Sequence, residues 1–160
     1  MTVNTKHVTG RRTLNYATLD DLLRDAEQLA ESEVEMLGNW SLGQIFSHVA
    51  MTMNNSFDGF PFSAPWIFRV IVQLFMKSRF LTKTVPAGFQ IPSKAAIMIP
   101  GETSTEEGLT MLRSAIVRLK QESQRMPHPF MGDLSVDEWN QLHLKHTEMH
   151  MSFAVPRNEP

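Results

Sequence analysis

Apolar residues recur at helical spacing in several segments of the chain. In the first, residues 18–32, leucines and alanines repeat every three or four positions and predict an amphipathic helix. In the second, residues 41–57, Ser41 and Gln44 form a capping box, in which the serine accepts from the first turn and the glutamine reaches back to the cap. These segments predict the first two helices of the fold.

A third segment, residues 66–80, is strongly apolar, but it is shorter than the roughly 20 residues that a membrane-spanning helix needs. Arg69, Gln73 and Lys77 recur every four residues and give this segment one polar edge. We therefore expect no stable membrane insertion. We expect a mostly buried helix, packed within the fold or at a dimer contact, with a polar edge that water reaches. An interfacial membrane helix is the alternative.

A long connection should follow between about residues 81 and 103, because prolines and glycines interrupt any helix there: Pro86, Gly88, Pro92, Pro100 and Gly101. Ser104 and Glu107 then form the capping box of a fourth helix, which runs to about Gln124. A fifth helix begins near Ser135, where Glu138 completes another box. No repeat and no strand alternation is present, so we expect an all-α fold, an antiparallel bundle with an additional helix.

The fifth helix carries three of the six histidines of the chain, His143, His146 and His150. On a helix they lie within roughly 60° of one another, in a stripe with four apolar residues: Trp139, Leu142, Met149 and Phe153. Four polar residues fall mostly on other sides: Asp137, Gln141, Lys145 and Glu148. A buried imidazole without a partner costs on the order of 1–3 kcal/mol. The stripe is therefore either hydrogen-bonded core or a candidate site for a divalent transition metal, which neutral imidazoles bind.

Length and composition limit the other possibilities. A chain of 160 residues with 42% hydrophobic content predicts a single domain, residues 1–160, with a polar N-terminal arm at 1–16. The formal charge of −2 offers no basic surface for nucleic acid. The chain has no cysteine, so any metal must use nitrogen or oxygen ligands. The N-terminus lacks the apolar core of a secretory signal, which makes the cytoplasm the expected location.

Two motifs together resemble the DinB-like (DinB/YfiT) four-helix-bundle superfamily: Trp40-Ser-Leu-Gly-Gln-Ile-x-x-His48-Val on the second helix and His146-x-x-x-His150 on the last. The resemblance spans most of the chain. It implies an antiparallel four-helix bundle in which one histidine of the second helix and two of the last bind a divalent metal. Carried over to this chain, the ligands are His48, His146 and His150, and the metal is Zn, Ni or Fe.

Local sequence supports part of this assignment and leaves one alternative open. His48 lies two turns beyond its N-cap, deep enough to face a bundle interior. His143 has no assigned role in the family, but with His146 it makes an i, i+3 alternative. Three histidines leave a coordination position for water or substrate, as catalytic sites do. Such a metal lowers the pKa of bound water to about 7.

The fragment His146-Thr-Glu-Met-His150 also suggests the zincin motif HExxH, but it departs from that motif where it matters. The general base of a zincin follows the first histidine directly, and this chain has Thr147 there. Glu148 lies about 200° round the helix from His146 and should point away. Peptidase chemistry is therefore disfavoured.

Other polar residues are weaker candidates. Gln44, Thr52 and Asn55 could orient the ring of His48, although capping and solvation explain them at least as well. His128, between two prolines, is either a plain loop residue or a group at the mouth of the site. His7 lies in the polar arm, and we expect it to be uninvolved.

Three hypotheses of different classes follow. The resemblance implies a metal-dependent transferase or hydrolase that acts on a small molecule with a low-molecular-weight thiol, because relatives include such enzymes. The second hypothesis is a metal- or ligand-binding stress module without turnover. The third is a metal-free interaction protein whose histidines are hydrogen-bonded core. A homodimer is plausible in each case.

Overall fold

The computed structural model describes residues 2–88 and 93–157, with the side chains of 93–95 left out. These residues form six α-helices and two short strands: α1 (Leu19–Glu31), β1 (Val34–Met36), α2 (Leu42–Asp58), α3 (Trp66–Phe75), α4 (Lys77–Thr82), α5 (Thr105–Gln121), α6 (Val136–Met151) and β2 (Ala154–Pro156). With 57% of the structure helical, the predicted mostly helical class is confirmed.

Four of the α-helices in the described residues begin with a complete capping box. The three predicted boxes, at Ser41, Ser104 and Ser135, are present, and each serine Oγ accepts from a backbone N–H at 3.2 Å. A fourth box pairs Thr18 with Asp21. Each box satisfies backbone N–H groups that have no partner within the helix. Local sequence therefore determines where these four helices begin.

The four longest helices, α1, α2, α5 and α6, share one apolar core. Helix α2 contacts α5 and α6, and α1 contacts the same two helices. The largest fully buried apolar side chains of this core come from all four helices: Leu22, Leu29, Phe46, Val49, Met53, Leu112, Ile116 and Met151. The candidate metal-binding histidines of α2 and α6 are therefore carried by elements that pack against each other.

Helices α2 and α5 come closest at two glycines. A Cβ added to Gly108 would lie 2.5 Å from the carbonyl oxygen of Gly43, and one added to Gly43 would lie 2.3 Å from that of Thr103. A Cβ atom cannot approach a backbone oxygen so closely, so both positions require glycine. The Gln44 amide also donates to the Pro100 carbonyl at 3.4 Å. These contacts hold the chain before α5 against the first turn of α2.

The small sheet was not predicted from the sequence. Strands β1 and β2 pair antiparallel, with Glu35 opposite Val155, and the Leu37 N–H donates to the Phe153 carbonyl at 2.9 Å just beyond the ladder. Strands of three residues are too short to show the alternation by which a strand is recognised. The sheet joins the connection between α1 and α2 to the end of α6.

The predicted third helix is divided at Met76 into α3 and α4. The expectation that it is mostly buried is wrong within this chain. Trp66, Leu74 and Phe75 of α3 are 71%, 72% and 79% exposed, and Val72 is the one residue of the helix in the buried class. Contact of α3 with a second copy of the chain stays a prediction.

The polar edge of this segment explains its orientation. Lys77 forms an ion pair with Glu138 of α6 at 2.6 Å, and the Arg69 guanidinium lies against Gly132. Gln73 is exposed, Arg69 is half-buried, and the Lys77 side chain keeps 22% exposure. Water therefore still reaches this edge, as expected, although both cations contact the protein. As a result, the apolar side of α3 points outward. Among the described helices, none combines the length and the apolar character that crossing a bilayer requires.

Two irregular segments surround this framework. The predicted connection between about residues 81 and 103 contains a 3-10 helix, Ser93–Met98, while Pro92 lies outside the described residues. The polar arm carries a short 3-10 helix, Thr5–His7, and then packs on α1 and α6. Both terminal nitrogens of Arg12 bind the Asp25 carboxylate of α1, at 2.7 and 2.8 Å.

We expect Gly108→Ala to lower the free energy of unfolding by about 1–3 kcal/mol, because the new methyl group overlaps the backbone of α2. A decrease in the free energy of unfolding would be informative, because alanine inside a helix is ordinarily about 1 kcal/mol more stabilising than glycine. Chemical denaturation measures the change. Gly101→Ala is the matched control, because a Cβ there meets nothing within 4 Å and should leave stability unchanged. Equal stability of the two variants would contradict the close contact.

Candidate metal centre

The structure brings three histidines together between α2 and α6. One ring nitrogen from each of His48, His146 and His150 lies within 4.8 Å of the other two. The ring centroids of His48 are 5.3 Å from His146 and 4.6 Å from His150, and those of His146 and His150 are 4.6 Å apart. We call these residues the histidine triad. They are the three residues that the sequence analysis selected.

The tautomer of His48 follows from its hydrogen bond. Its Nδ1 lies 2.8 Å from the carbonyl oxygen of Met98. A carbonyl oxygen can only accept, so Nδ1 carries the proton and Nε2 keeps a free lone pair. Histidines that bind metals commonly donate their other ring N–H in this way. His48 is therefore oriented and protonated as a metal ligand would be.

His146 and His150 present their Nε2 atoms to each other at 3.1 Å. Nitrogens that share one zinc ion at 2.0–2.1 Å and a tetrahedral angle are about 3.3 Å apart. The observed spacing therefore suits a shared cation. It equally suits a hydrogen bond in which one ring donates to the other. The donor set of three neutral imidazoles fits Zn, Ni or Fe.

Burial keeps the triad neutral. The pKa of His48 is lowered by burial, partly offset by its bond to Met98. The pKa values of His146 and His150 are lowered well below the ordinary value, first by burial and then by the neighbouring histidines. Neutral imidazole is the form that binds a metal, so the protein holds all three in the competent state.

Trp40 was missed as a site residue. Its ring stacks on His150 at 5.2 Å and lies 4.8 Å from the ring of His48. Trp40 comes directly before the N-cap Ser41, and the sheet brings this connection to the end of α6. The available signal was its position as the apolar residue before a capping box, which commonly packs back on the first turns.

Among the described residues, none of the proposed orienting side chains on α2 forms a hydrogen bond with the ring of His48. Gln44 completes the capping box, Thr52 donates to the Val49 carbonyl at 2.8 Å, and the Asn55 amide lies 3.2 Å from the Met98 sulfur. The partner of His48 is a backbone carbonyl from the chain before α5. Residue identity carries no signal for a carbonyl partner.

A cavity of about 730 Å³ opens beside the triad, and His128 and His143 line it as well. His143 is 3% exposed and stacks on Trp139 at 5.3 Å. It is not part of the ligand group among the described residues. The Nδ1 of His128 accepts from the N–H groups of Phe130 and Met131, each at 3.1 Å. His7 is exposed in the polar arm and is not among the lining residues, although Thr5 of the same short 3-10 helix is.

Glu148 points away from the triad, as the zincin comparison requires. Its carboxylate accepts from Lys145 at 2.8 Å, from the Tyr16 N–H at 2.9 Å and from the Thr84 hydroxyl at 2.7 Å. We expected Glu148 to lie outside the buried face of the helix. That expectation is wrong, because Glu148 is 1% exposed. These partners occupy the carboxylate, so Glu148 is not placed as a general base.

Fold and site together define a small helical protein with three converging histidines beside an apolar cavity. The sequence model of one family, described as "Protein of unknown function (DUF1569)", matches residues 8–157. Because the match covers nearly the whole chain, the protein belongs to this family. Neither the curated proteins nor the solved structures contain a match.

We expect acid to destabilise the protein through its buried neutral histidines. Burial lowers the pKa of His128 and of His143 to about 3, whereas both titrate near 6.5 in the unfolded chain. Below about pH 6.5 the unfolded state binds the protons first. The free energy of unfolding should therefore fall by up to about 1.4 kcal/mol per histidine for each pH unit between these values.

Denaturation in the presence of a chelator, at several pH values from neutral to acid, measures this slope without a metal contribution. His143→Gln removes one titrating group and should flatten the profile. His7→Gln is the matched control, because His7 is exposed. If the free energy of unfolding of His143→Gln falls as steeply with pH as that of the wild type, the burial of a neutral imidazole at this position is contradicted.

Proposed function

We propose that the histidine triad binds one divalent transition metal, Zn, Ni or Fe, and that the protein uses it in chemistry on a small molecule. The observation that carries this proposal is the convergence of three ring nitrogens within 4.8 Å, with the His48 Nε2 lone pair left free by its bond to Met98. His48, His146 and His150 would hold the metal. A divalent metal supplies Lewis-acid chemistry and lowers the pKa of a water or thiol that it binds.

We also assign the chain to the DinB-like superfamily as a four-helix bundle with an additional helix. Two observations support the assignment. Helices α1, α2, α5 and α6 contact one another in a closed circuit around the main core, and the triad combines one histidine of α2 with two of α6. A cytoplasmic location and a homodimer belong to the same proposal.

Within this class we propose a metal-dependent thiol transferase or hydrolase. The protein has no cysteine, so the thiol must arrive as a cosubstrate. The chain contributes a neutral ligand set and a wall of aromatic side chains beside it. Trp40, stacked on His150, keeps that ring in place.

A metal-free interaction protein is the second candidate, and one observation favours it. The 3.1 Å separation of the His146 and His150 Nε2 atoms is an ordinary hydrogen-bond length. In that case the triad is hydrogen-bonded core. A metal- or ligand-binding module without turnover is a third possibility. It would bind the same metal as the enzyme, so only a search for activity distinguishes the two.

We expect about one equivalent of metal in protein prepared without a histidine tag, and elemental analysis after dialysis measures it. Removal of an outer-shell partner typically lowers metal affinity by 10–100-fold. His48→Ala and His150→Ala each remove a ligand, so each should weaken binding by at least about 100-fold. His7→Ala is the control, and His143→Ala should also retain the metal, because His143 lies outside the ligand group.

If His150→Ala keeps the metal and His143→Ala loses it, the ligands on α6 are the i, i+3 pair His143 and His146. Wild-type protein that takes up no Zn, Ni or Fe would remove the enzyme proposal in favour of the metal-free candidate. Turnover of the metal-loaded protein with a panel of thiols then separates an enzyme from a binding module.

A further inference from the structure

The cavity beside the triad has the size of a ligand site. Its volume of about 730 Å³ falls within the roughly 300–1,000 Å³ that small-molecule pockets occupy. Apart from the histidines, most of its wall is apolar, and it includes Phe60, Phe62, Phe68, Val72, Phe130 and Trp139. Several of these rings contact one another, so the wall is a continuous aromatic surface.

The wall carries no permanent charge. None of the described residues that line it is Asp, Glu, Lys or Arg. Its two further histidines are neutral as well, because burial lowers the pKa of His128 and of His143 to about 3. A charged ligand would lose its hydration here without gaining an ionic partner, which is strongly unfavourable.

The wall also contains a few polar side chains, and two of them are already paired. Asn39 exchanges hydrogen bonds with the backbone of Val3, and the Thr52 hydroxyl donates to the Val49 carbonyl. The Nδ1 of His128 already accepts two backbone N–H groups, so this ring offers the cavity one N–H at most. The Nε2 of His143 and the indole Nε1 of Trp139 are buried and have no partner within the described part of the chain. Recognition by the cavity must therefore depend mainly on apolar contact.

From this geometry we infer that the cavity binds an uncharged, largely apolar small molecule that carries one metal-coordinating head group. The head group meets the histidine triad, and the apolar body lies against the aromatic wall. The inference rests on the proposed function for the head group, but the cavity alone supports the apolar body. Charged peptidic thiols and phosphorylated compounds are poor candidates.

A series of alkyl hydroxamic acids, from acetohydroxamic to decanohydroxamic acid, tests the inference by calorimetry on the full chain loaded with zinc. The head group is constant and the apolar body grows. Each methylene that leaves water for the cavity should raise the affinity by about fourfold, which corresponds to about 0.8 kcal/mol. Linear alcohols of the same lengths have the body without the chelating head and should show the same dependence with or without zinc.

Two failures are distinguishable in this experiment. Affinity that does not depend on chain length in either series overturns the cavity inference and leaves the metal proposal standing. A normal dependence without any gain from the hydroxamic acid over the alcohol overturns the metal proposal instead. Val85→Trp, which adds bulk to the cavity wall, should weaken the long ligands and spare acetohydroxamic acid. Val117→Trp, exposed on α5, is the matched control.

Helix α3 supports a second and independent inference. Its outward side carries six large exposed apolar residues: Trp66, Ile67, Val70, Ile71, Leu74 and Phe75. Phe68 and Met76 are also exposed, but they line the cavity. Exposed apolar surface of this kind marks an interaction site in a soluble protein.

The sequence around α3 carries charges of one sign, although Glu138 of α6 pairs with Lys77. Between Asp58 and Glu102 the sequence contains five basic residues and no acidic residue. Arg79 and Lys83 of this segment are exposed, close to the end of α3. An apolar helical face with flanking cations is the pattern of helices that lie in the interface of an anionic membrane.

We propose that the outward face of α3 docks on the surface of an anionic phospholipid bilayer. A symmetric contact between two copies of α3 would bring like charges together, whereas anionic lipid headgroups complement them. The helix has ten residues and would lie in the interface without crossing the bilayer.

Cosedimentation with phosphatidylglycerol vesicles tests this proposal, and phosphatidylcholine vesicles are the comparison. The protein should partition preferentially to phosphatidylglycerol. Leu74→Glu combined with Phe75→Glu should abolish partitioning, and Arg79→Gln or Lys83→Gln should each lower it by roughly fivefold. Val117→Glu, at an exposed apolar position of α5, should leave it unchanged.

Absence of binding to either vesicle overturns the membrane proposal. A second outcome also overturns it. If the protein binds no vesicles but sediments as a dimer, and Leu74→Glu with Phe75→Glu dissociates that dimer, the occupant of the face is a second copy of the chain. Equal partitioning to both lipids removes the role of the cations and overturns the proposal in its stated form.

Discussion

The contact between the backbones of α2 and α5 at Gly43 and Gly108 is the constraint on which the site depends. It holds the chain before α5 along α2, and this chain then delivers the Met98 carbonyl to the Nδ1 of His48. A side chain at either glycine would separate the two backbones. The tautomer of His48 thereby depends on a backbone contact at Gly43, five residues before it on α2.

Local sequence predicted the framework well because caps are short-range interactions. Ser41, Ser104 and Ser135 each determine a helix start within four residues, so the starts need no tertiary information. The choice of His48, His146 and His150 came from helical periodicity and from a resemblance. The structure brings the three rings together, and metal binding stays a prediction. The Met98 carbonyl and Trp40 depend on how distant segments meet, which no local pattern encodes.

The errors have a common physical cause. Periodicity identifies the two sides of a helix but not which side faces the protein. In the α3 segment, Lys77 pairs with Glu138 and Arg69 lies against Gly132, so two cations contact the protein while most of the apolar residues are exposed. Glu148 is a parallel case, because Lys145, Tyr16 and Thr84 satisfy a carboxylate that composition alone would leave in water. Specific polar partners outweighed the general tendency at both positions.

The weak attachment of α3 has a consequence for the local stability of the fold. Its side chains contribute one residue, Val72, to the smaller core cluster, and none to the main core shared by α1, α2, α5 and α6. A segment with so few buried contacts opens at a lower free energy than the global unfolding transition. Its amides would therefore exchange with solvent in subglobal openings that leave the histidine triad assembled. The apolar cavity, which α3 helps to enclose, would be reached in the same openings.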